Sequence, residues 1–493
     1  MKVIRYIAIP LSAVAALLPA VVYATNGMNL EGYGPVATGM GGASMAYDNG
    51  SAAMMNNPAT IGLMPDGHRA DFALGMLGPD VKATAGSTDA KSSGTAYYMP
   101  ALGWLSKQGD LAYGVGMFAQ GGMGTEYKSS SFMAAGSGEK ARSEVSVGRL
   151  MVPVAYNVNP ELTIGGSVDL VWAGMDIKMA MLGSQFGDMV SALGGTQSAG
   201  TASGTMVTGL VSQIGTFMNN GFGAGAGLGT GPINWARFDF SDSSAFTGEA
   251  KGTGFAGKIG GVYRPNNQLT IGATYHSKTS LSDLSSNNAT VTMSANVDSG
   301  LAAGGPASNS YVTKTIAVTG KIKVLDFEWP AFFGIGAAFQ ATDQLMIAAD
   351  IKRIQWADVM KNFHMEFTAD APSAQAGLAQ GFGGAVLDAT LFQKWDDQTV
   401  IALGGSYKVD PAWTVRLGYN HASNPIPDTY LNALFPAIEE THVTAGVGYE
   451  ISKASSIDFS LTDGLEKKAT NSQNQVASTM SQLNWQFMYS YRY

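Results

Sequence analysis

Four basic side chains in this sequence are placed where they could bind a negatively charged group. They are Lys258, His276, Lys352 and Arg416. Each falls on the polar face of a segment in which polar and apolar residues alternate, so all four would project to the polar side of a sheet. Such side chains bind carboxylates through charge-assisted hydrogen bonds. The alternative is that they pair with acids on the same faces, Asp169, Asp350 and Asp458, and only stiffen the sheet.

Residues suited to catalysis or metal binding are sparse. The chain has 5 His and no Cys, so it offers neither a catalytic thiolate nor a disulfide framework. It has no Gly-x-Ser-x-Gly sequence, and no His has a nucleophile as a local partner. A triad assembled from distant strands would leave no local signature. We therefore expect no catalytic residues, no metal and no cofactor.

The C-terminal segment shows the clearest structural pattern. Five aromatic residues alternate there with smaller or polar ones, the aromatic set being Trp485, Phe487, Tyr489, Tyr491 and Tyr493. This period of two predicts a β-strand with one aromatic face. The same alternation recurs in 162–172, 413–420 and 457–462. A terminal aromatic strand also resembles the signal read by the outer-membrane barrel assembly machinery, which we expect as a partner.

The composition indicates the environment of these strands. Only 13% of residues are charged, yet the chain has 63 Gly, 19 Tyr and 21 Phe, and its mean hydropathy is close to zero. A soluble protein of this length usually carries more charge. A membrane β-barrel combines a lipid-facing apolar surface with a polar lumen, so its mean hydropathy cancels. The net charge of −8 argues against binding to nucleic acid.

Fourteen strands are predicted, an even number as bacterial barrels have. Short turns alternate with long connections, as periplasmic turns alternate with extracellular loops. The predicted strands lie near 69–85, 95–107, 110–121, 145–157, 161–182, 235–264, 267–297, 309–340, 343–367, 395–408, 412–423, 438–452, 455–469 and 475–493. The fold class is therefore all-β, a transmembrane antiparallel barrel of about 14 strands over 67–493.

Two segments precede this barrel. Residues 1–24 carry Lys2 and Arg5, then an apolar run, then small residues before a cleavage point, which predicts a secretory signal peptide. Residues 25–66 are rich in Gly and irregular, which suits a small hatch inside a barrel. Asn56, Asn57 and Pro58 mark this hatch, since Pro58 biases the residue before it towards extended backbone. An ordinary turn into the first strand is the alternative.

A long insertion near 183–233 is predicted as an external loop. Its apolar residues fall at helical spacing, and they form the candidate ligand groove: Phe186, Met189, Met206, Leu210 and Met218. Met suits a groove because its flexible thioether adapts to ligands of different length. The alternative is that these residues only pack the loop helices on each other.

Several short stretches resemble the FadL-type long-chain fatty-acid transporters of the outer membrane, a family that includes TodX-like aromatic-hydrocarbon channels. The stretches run in order from one end of the chain to the other: 32–35, 39–44, 57–59, 100–103, 124–127, 418–420, 424–427, 434–437 and 439–442. Each is weak alone, because a Gly-rich turn or an Asn-Pro pair is common. Their order and separation make the resemblance specific.

The resemblance implies a fourteen-stranded barrel with an N-terminal hatch, capture of ligand in a loop groove, an interior site, and sideways release through a kinked third strand. The family's third strand often has a Pro where this chain has Gln120, so Gly121 and Gly122 are the candidates for a kink here. The implied function is passive uptake of hydrophobic compounds across the outer membrane, with long-chain fatty acids as the expected ligand. Outer-membrane lipid and lipopolysaccharide are the expected surroundings.

Two alternatives remain. A monoaromatic or alkane hydrocarbon would use the same route without needing the four basic residues. An outer-membrane enzyme acting on acyl chains is the alternative of another class.

Overall fold

The computed structural model describes residues 26–219, 233–244, 247–302, 308 and 310–493. The predicted signal peptide, 1–24, lies outside the described residues. One continuous sheet of 23 strands dominates the described part.

The strands are β1 Gly67–Leu77, β2 Pro79–Ala85, β3 Thr88–Lys91, β4 Tyr97–Gln108, β5 Leu111–Tyr127, β6 Ala141–Asn157, β7 Leu162–Leu182, β8 Gly200–Ser203, β9 Ile233–Phe240, β10 Ala250–Tyr263, β11 Leu269–His276, β12 Ser280–Leu281, β13 Leu284–Asp298, β14 Tyr311–Leu325, β15 Phe332–Gln340, β16 Leu345–Ile354, β17 Asn362–Ala369, β18 Val386–Phe392, β19 Gln398–Lys408, β20 Trp413–Ala422, β21 Thr441–Glu450, β22 Ser455–Thr470 and β23 Ala477–Arg492.

The α-helices are α1 Pro35–Thr38, α2 Ala53–Asn56, α3 Gly183–Met189, α4 Thr205–Asn219, α5 Ser299–Ala302 and α6 Trp356–Val359. Single 3₁₀ turns lie at Gly50–Ala52, Pro58–Leu63, Phe132–Ala134, Ser191–Leu193, Pro372–Ala374, Gly377–Phe382 and Asp428–Tyr430. In the described part of the chain, no helix is long and apolar enough to span a membrane.

The sheet closes into a ring because β1 pairs with both β4 and β23. All pairings around the ring are antiparallel. Its order is β1, β4, β5, β6, β7, β9, β13, β10, β11, β15, β16, β19, β20, β21, β22 and β23. The all-β antiparallel barrel is therefore confirmed. Counted through β9 and β13 it has sixteen strands rather than the predicted fourteen. β7 also pairs directly with β10 over fourteen residue pairs, and the ring closed through that pairing has fourteen strands.

The two additional strands arise where predicted strands break. The predicted strand 235–264 is interrupted and forms β9 and β10, while 267–297 forms β11, β12 and β13. In the first break, the carboxylate of Asp176 accepts the backbone amides of Asp242 (3.3 Å) and Glu249 (2.8 Å). These amides are thereby satisfied outside the ladder, so the chain can leave the sheet and return. Period-two alternation alone does not mark such a break.

The two faces of the barrel have opposite polarity. Along β23, Leu483, Phe487 and Tyr491 are 39–43% exposed, whereas the intervening Gln486 and Ser490 are buried. Apolar side chains therefore face outwards and polar side chains face the lumen. This is the reverse of a water-soluble barrel and is the arrangement that lipid requires.

The N-terminal residues 26–64 lie in the lumen and are almost all buried. Their backbone is bound by polar side chains of the wall. The carboxylate of Asp350 accepts the amides of Ser44 (2.6 Å) and Met45 (3.2 Å), and Asn420 Nδ2 donates to the carbonyl of Gly41 at 2.9 Å. An irregular segment can remain at this depth because the wall satisfies its polar groups.

Candidate functional site

A β-bulge interrupts β5, the third ring strand along the chain. Ala119 pairs with Gly148 and Gly121 pairs with Val147, so Gln120 is one extra residue in the β5 ladder. Its side chain points into the lumen, where the guanidinium of Arg149 donates to its amide oxygen. A bulge bends a strand and disrupts the ladder beside it. The irregularity thus lies at Gln120, next to Gly121 and Gly122, and a kink at those two glycines stays a prediction.

The wall opens next to this bulge. The β4–β5 ladder ends at the pair Leu102–Met117, although β4 begins at Tyr97 and β5 continues to Tyr127. Further along β5, the amide of Ser93 donates to the carbonyl of Glu126 at 2.7 Å. This bond brings the chain before β4 and the end of β5 together again. Between these points the two strands do not pair. We call this unpaired region the wall window.

A cavity of about 210 Å³ passes through the wall window. Its lining includes the partly or fully buried Met99, Phe118 and Met480 and also the outward-facing Tyr98 and Trp172, which are 49% and 38% exposed. Lumen and outer surface therefore meet in one space. Aromatic residues, Met and Gly make up half of the lining, and it contains no Lys, Arg or His. Its acidic member is Glu144.

The N-terminal segment contacts the bulge directly. Asn29 forms a β-bridge with Gly121, and the amide of Gly122 donates to the carbonyl of Met28 at 3.2 Å. A Cβ atom on Gly121 would lie 2.1 Å from that carbonyl oxygen, so a larger residue would push the segment away. Tyr33 adds a hydrogen bond from its hydroxyl to the carbonyl of Gln120 at 2.5 Å. The inner side of the wall window is thus covered by this segment.

Asn56 holds Tyr33 in place. Its Nδ2 donates to the carbonyl of Tyr33 at 2.9 Å, and its Oδ1 accepts the amide of Tyr33 at 3.3 Å. Asn57 caps the next 3₁₀ turn by accepting the amide of Ala59, and its Nδ2 donates to the carbonyl of Met45 at 2.8 Å. Pro58 begins that turn. The three residues predicted for the hatch therefore organise the segment rather than touch the cavity.

The four basic residues proposed for a carboxylate are all bound to protein acceptors. Lys258 Nζ lies 2.5 Å from the carboxylate of Asp169, and Arg416 Nη1 lies 2.8 Å from that of Asp458. The other two hold the N-terminal segment. Lys352 Nζ donates to the carbonyl of Gly42 at 2.9 Å, and His276 Nε2 lies 3.0 Å from the carbonyl of Asn56. None of the four lines the cavity, so their role towards a headgroup stays a prediction.

The candidate groove residues of the long insertion pack against one another. Phe186, Met206 and Leu210 are buried around a crevice of about 10 Å³, which is about the space of one water molecule. Met189 is also buried. The side chain of Met218 lies outside the described residues. This conformation matches the packing alternative, and capture of a ligand here stays a prediction.

One carboxyl group of the N-terminal segment is unusual. Glu31 is fully buried, and its Oε1 accepts a hydrogen bond from Thr462 Oγ1 at 2.5 Å. Its Oε2 has no partner among the described residues. Burial raises the pKa of Glu31 to about 7, against the opposing effects of Thr462 and Lys352. Among the described residues, no group of His, Asp or Glu side chains is arranged to hold a metal ion.

Comparison with known proteins finds relatives that extend over nearly the whole chain. A family model described as "Outer membrane protein transport protein (OMPP1/FadL/TodX)" matches residues 11–491. The toluene transporter TodX of P. putida is 29% identical with a TM-score of 0.74, covering 94% of this chain and 99% of that chain. The Ralstonia pickettii toluene transporter TbuX is 31% identical with a TM-score of 0.70 and the same coverage.

Of two further similarities, one has lower sequence identity and the other covers a shorter stretch. A Pseudomonas aeruginosa FadL homologue shares the fold, with 15% identity, a TM-score of 0.63, and coverage of 95% of this chain and 99% of that chain. A curated Chlorobium limicola protein, described as an uncharacterized protein in the phosphoenolpyruvate carboxykinase gene 5'region, is 45% identical over 93 residues, 18% of this chain. The chain spans 45% of the length of that curated relative.

Proposed function

This chain belongs to the outer membrane protein transport family that includes FadL and TodX, and from that premise we propose that it is a passive outer-membrane channel for neutral hydrophobic compounds, monoaromatic hydrocarbons in particular. The compound enters from outside, passes the N-terminal segment and leaves sideways through the wall window into membrane lipid.

The observation that carries this proposal is the composition of the cavity in the wall window. Its lining is mostly apolar and contains no basic side chain, whereas Glu144 contributes a carboxyl group. A fatty-acid carboxylate would lose hydration there without gaining a cation, which is costly in an apolar site. A neutral aromatic compound gains hydrophobic transfer energy, roughly 25 cal/mol per Å² of buried apolar surface. The lining therefore favours the hydrocarbon over the fatty acid expected from the sequence.

The size of the cavity supports the same class of ligand. The volume is about 210 Å³, and an apolar protein cavity of about 150 Å³ is sufficient to bind benzene. Similarity to TodX and TbuX, both named as toluene transporters, agrees with this choice.

In this mechanism the N-terminal segment acts as the hatch. Met28, Asn29 and Tyr33 bind the bulge from the inside, so they must shift before a compound can pass from the lumen into the wall window. Lateral release delivers an apolar compound directly into lipid, without a step through water. No energy source is needed, because the compound moves down its own concentration gradient.

Long-chain fatty acids are the second candidate. The buried Lys352 and Arg416 would provide a headgroup site if their present acceptors, the Gly42 carbonyl and Asp458, moved away. Replacing either basic residue by Gln would then lower oleate uptake and leave toluene uptake unchanged.

The test is uptake of labelled toluene and labelled oleate by cells that lack their own members of this family and express this chain. We expect toluene uptake above that of vector-only cells. The variant Ala119→Trp, which fills the cavity at the wall window, should abolish this uptake. Leu417→Trp is the matched control, since Leu417 is an outward-facing residue, 69% exposed, that is not part of the cavity lining. Equal uptake by both variants would refute the proposed route.

A further inference from the structure

Three register partners form a row on the outer face of the barrel beside the bulge. Ala119 of β5 pairs with Gly148 of β6, and Gly148 pairs with Trp172 of β7. All three line the cavity of the wall window. The row thus leads from the bulge, across one strand, to a large aromatic side chain.

The indole ring of Trp172 lies directly on Gly148. A Cβ atom on Gly148 would lie 2.3 Å from Cζ2 and 2.4 Å from Cε2 of this ring, and its third-nearest neighbour would be the ring nitrogen at 2.8 Å. The absence of a side chain at Gly148 is therefore what allows Trp172 to lie across β6. Gly148 is buried, although its place in the alternation turns it outwards. Trp172 covers it.

A nearby aromatic residue shows that this placement is particular to Trp172. Phe255 of β10 also faces outwards, and it lies two positions from Thr253, the register partner of Trp172. It is 63% exposed, compared with 38% for Trp172, and it is not part of the cavity lining. An outward-facing aromatic side chain in this part of the wall can therefore extend away from the barrel surface, as Phe255 does.

From this geometry we propose that Trp172 is the size-selecting residue of the lateral exit, a role that rests on the proposed function. The flat indole forms the outer cover of the cavity. A planar monoaromatic compound can stack against it while leaving, since aromatic rings favour offset-stacked or edge-to-face contacts. A compound with bulky branched substituents must displace the indole from Gly148 before it can leave.

The test compares uptake of toluene with uptake of 1,3,5-triisopropylbenzene by cells expressing the full chain. Trp172→Ala should raise the ratio of bulky to small compound by about tenfold or more, the discrimination that a few methyl groups in a tight apolar site provide. Phe255→Ala is the matched control and should leave the ratio unchanged. The amount of folded barrel in each strain is measured by its heat-dependent shift in gel mobility.

A second variant links the effect to the contact itself. In the otherwise unchanged chain, Gly148→Ala should raise the same ratio, because the new Cβ displaces the indole. Added to Trp172→Ala, it should have no further effect, since the three nearest atoms to that Cβ all belong to Trp172. An unchanged ratio in Trp172→Ala, with toluene uptake intact, would overturn this inference and leave the proposed function standing. Absence of toluene uptake in the unmodified chain would overturn both.

Discussion

The hydroxyl group of Tyr33 donates a 2.5 Å hydrogen bond to the carbonyl of Gln120, the residue that bulges from β5. A segment in the lumen is thereby tied to the one point in the wall where the β4–β5 ladder has already opened. Because a buried carbonyl that loses its partner is costly, movement of Tyr33 and rearrangement of the bulge are energetically coupled. The structure thus joins the candidate gate to the candidate exit.

The first prediction tests this coupling with Tyr33→Phe, which keeps the ring and removes the hydroxyl. The loss of a buried hydrogen bond should weaken docking of the N-terminal segment by about 1–3 kcal/mol. Hydrogen exchange measured by mass spectrometry should become faster in residues 26–34 and 119–124. Tyr113→Phe changes an outward-facing residue of β5, the strand that contains Gln120, and it should leave exchange in both segments unchanged. Unaltered exchange in Tyr33→Phe would show that the two elements are not coupled.

The second prediction concerns Gly121→Ala. The new Cβ would lie 2.1 Å from the backbone oxygen of Met28, so the N-terminal segment has to move away from the wall. Limited proteolysis in detergent should cleave this segment faster. Gly405→Ala is a matched control, because a Cβ there meets no atom within 4 Å. Equal cleavage rates in the two variants would contradict the close approach seen here.

The third prediction is a pH dependence of hatch docking. Burial raises the pKa of Glu31 from 4.5 to about 7, so the docked state favours the protonated carboxyl. Docking should therefore be most stable below pH 4.5 and should weaken as the pH rises through 7. Proteolysis or hydrogen exchange of residues 26–34 should accelerate across this range. In Glu31→Gln, which keeps a neutral polar group, the Glu31-dependent part of this acceleration should vanish; its persistence would exclude Glu31 as the titrating group.

The fourth prediction concerns the buried carboxylate of Asp169, which lies 2.8 Å from Arg149 and 2.5 Å from Lys258. Asp169→Ala leaves two buried cations without their shared partner, a change worth about 3–5 kcal/mol when a buried ion pair is broken. The temperature at which the folded barrel loses its fast gel mobility should fall. Asp89→Ala removes an exposed ion pair with Lys82 and should leave that temperature unchanged. A stable Asp169→Ala barrel would mean that water reaches these cations.

The repeated alternation made the barrel predictable from the sequence, because facing lipid or lumen is a local, period-two property. The segment predicted at the C-terminus forms β23, and the bulge in β5 lies at Gln120, next to Gly121 and Gly122. The number of strands was harder to predict from the sequence. The break between β9 and β10 depends on Asp176, a residue of another strand, accepting the backbone amides of the connecting segment.

The partners of the inward charges were predictable only in part. Asp169 and Asp458 were named among the acids that could pair with the basic residues, and both do so. Lys352 instead binds a backbone carbonyl of the N-terminal segment, which alternation in its own strand does not reveal. Tyr33, Gln120 and Trp172 were not singled out as site residues, since their roles depend on contacts between distant parts of the chain. Gly148 indicates a site for the Trp172 ring only once the pairing of these two residues is known.

The most direct test of lateral release is toluene uptake by a variant that lacks Gln120. Deleting the bulged residue restores a continuous β5–β6 register, and this should let β4 and β5 pair across the wall window. The proposed route predicts a barrel that still shows heat-dependent gel mobility but takes up no more toluene than vector-only cells. Uptake at the level of the unmodified chain, in a barrel that is folded, would contradict release through the wall.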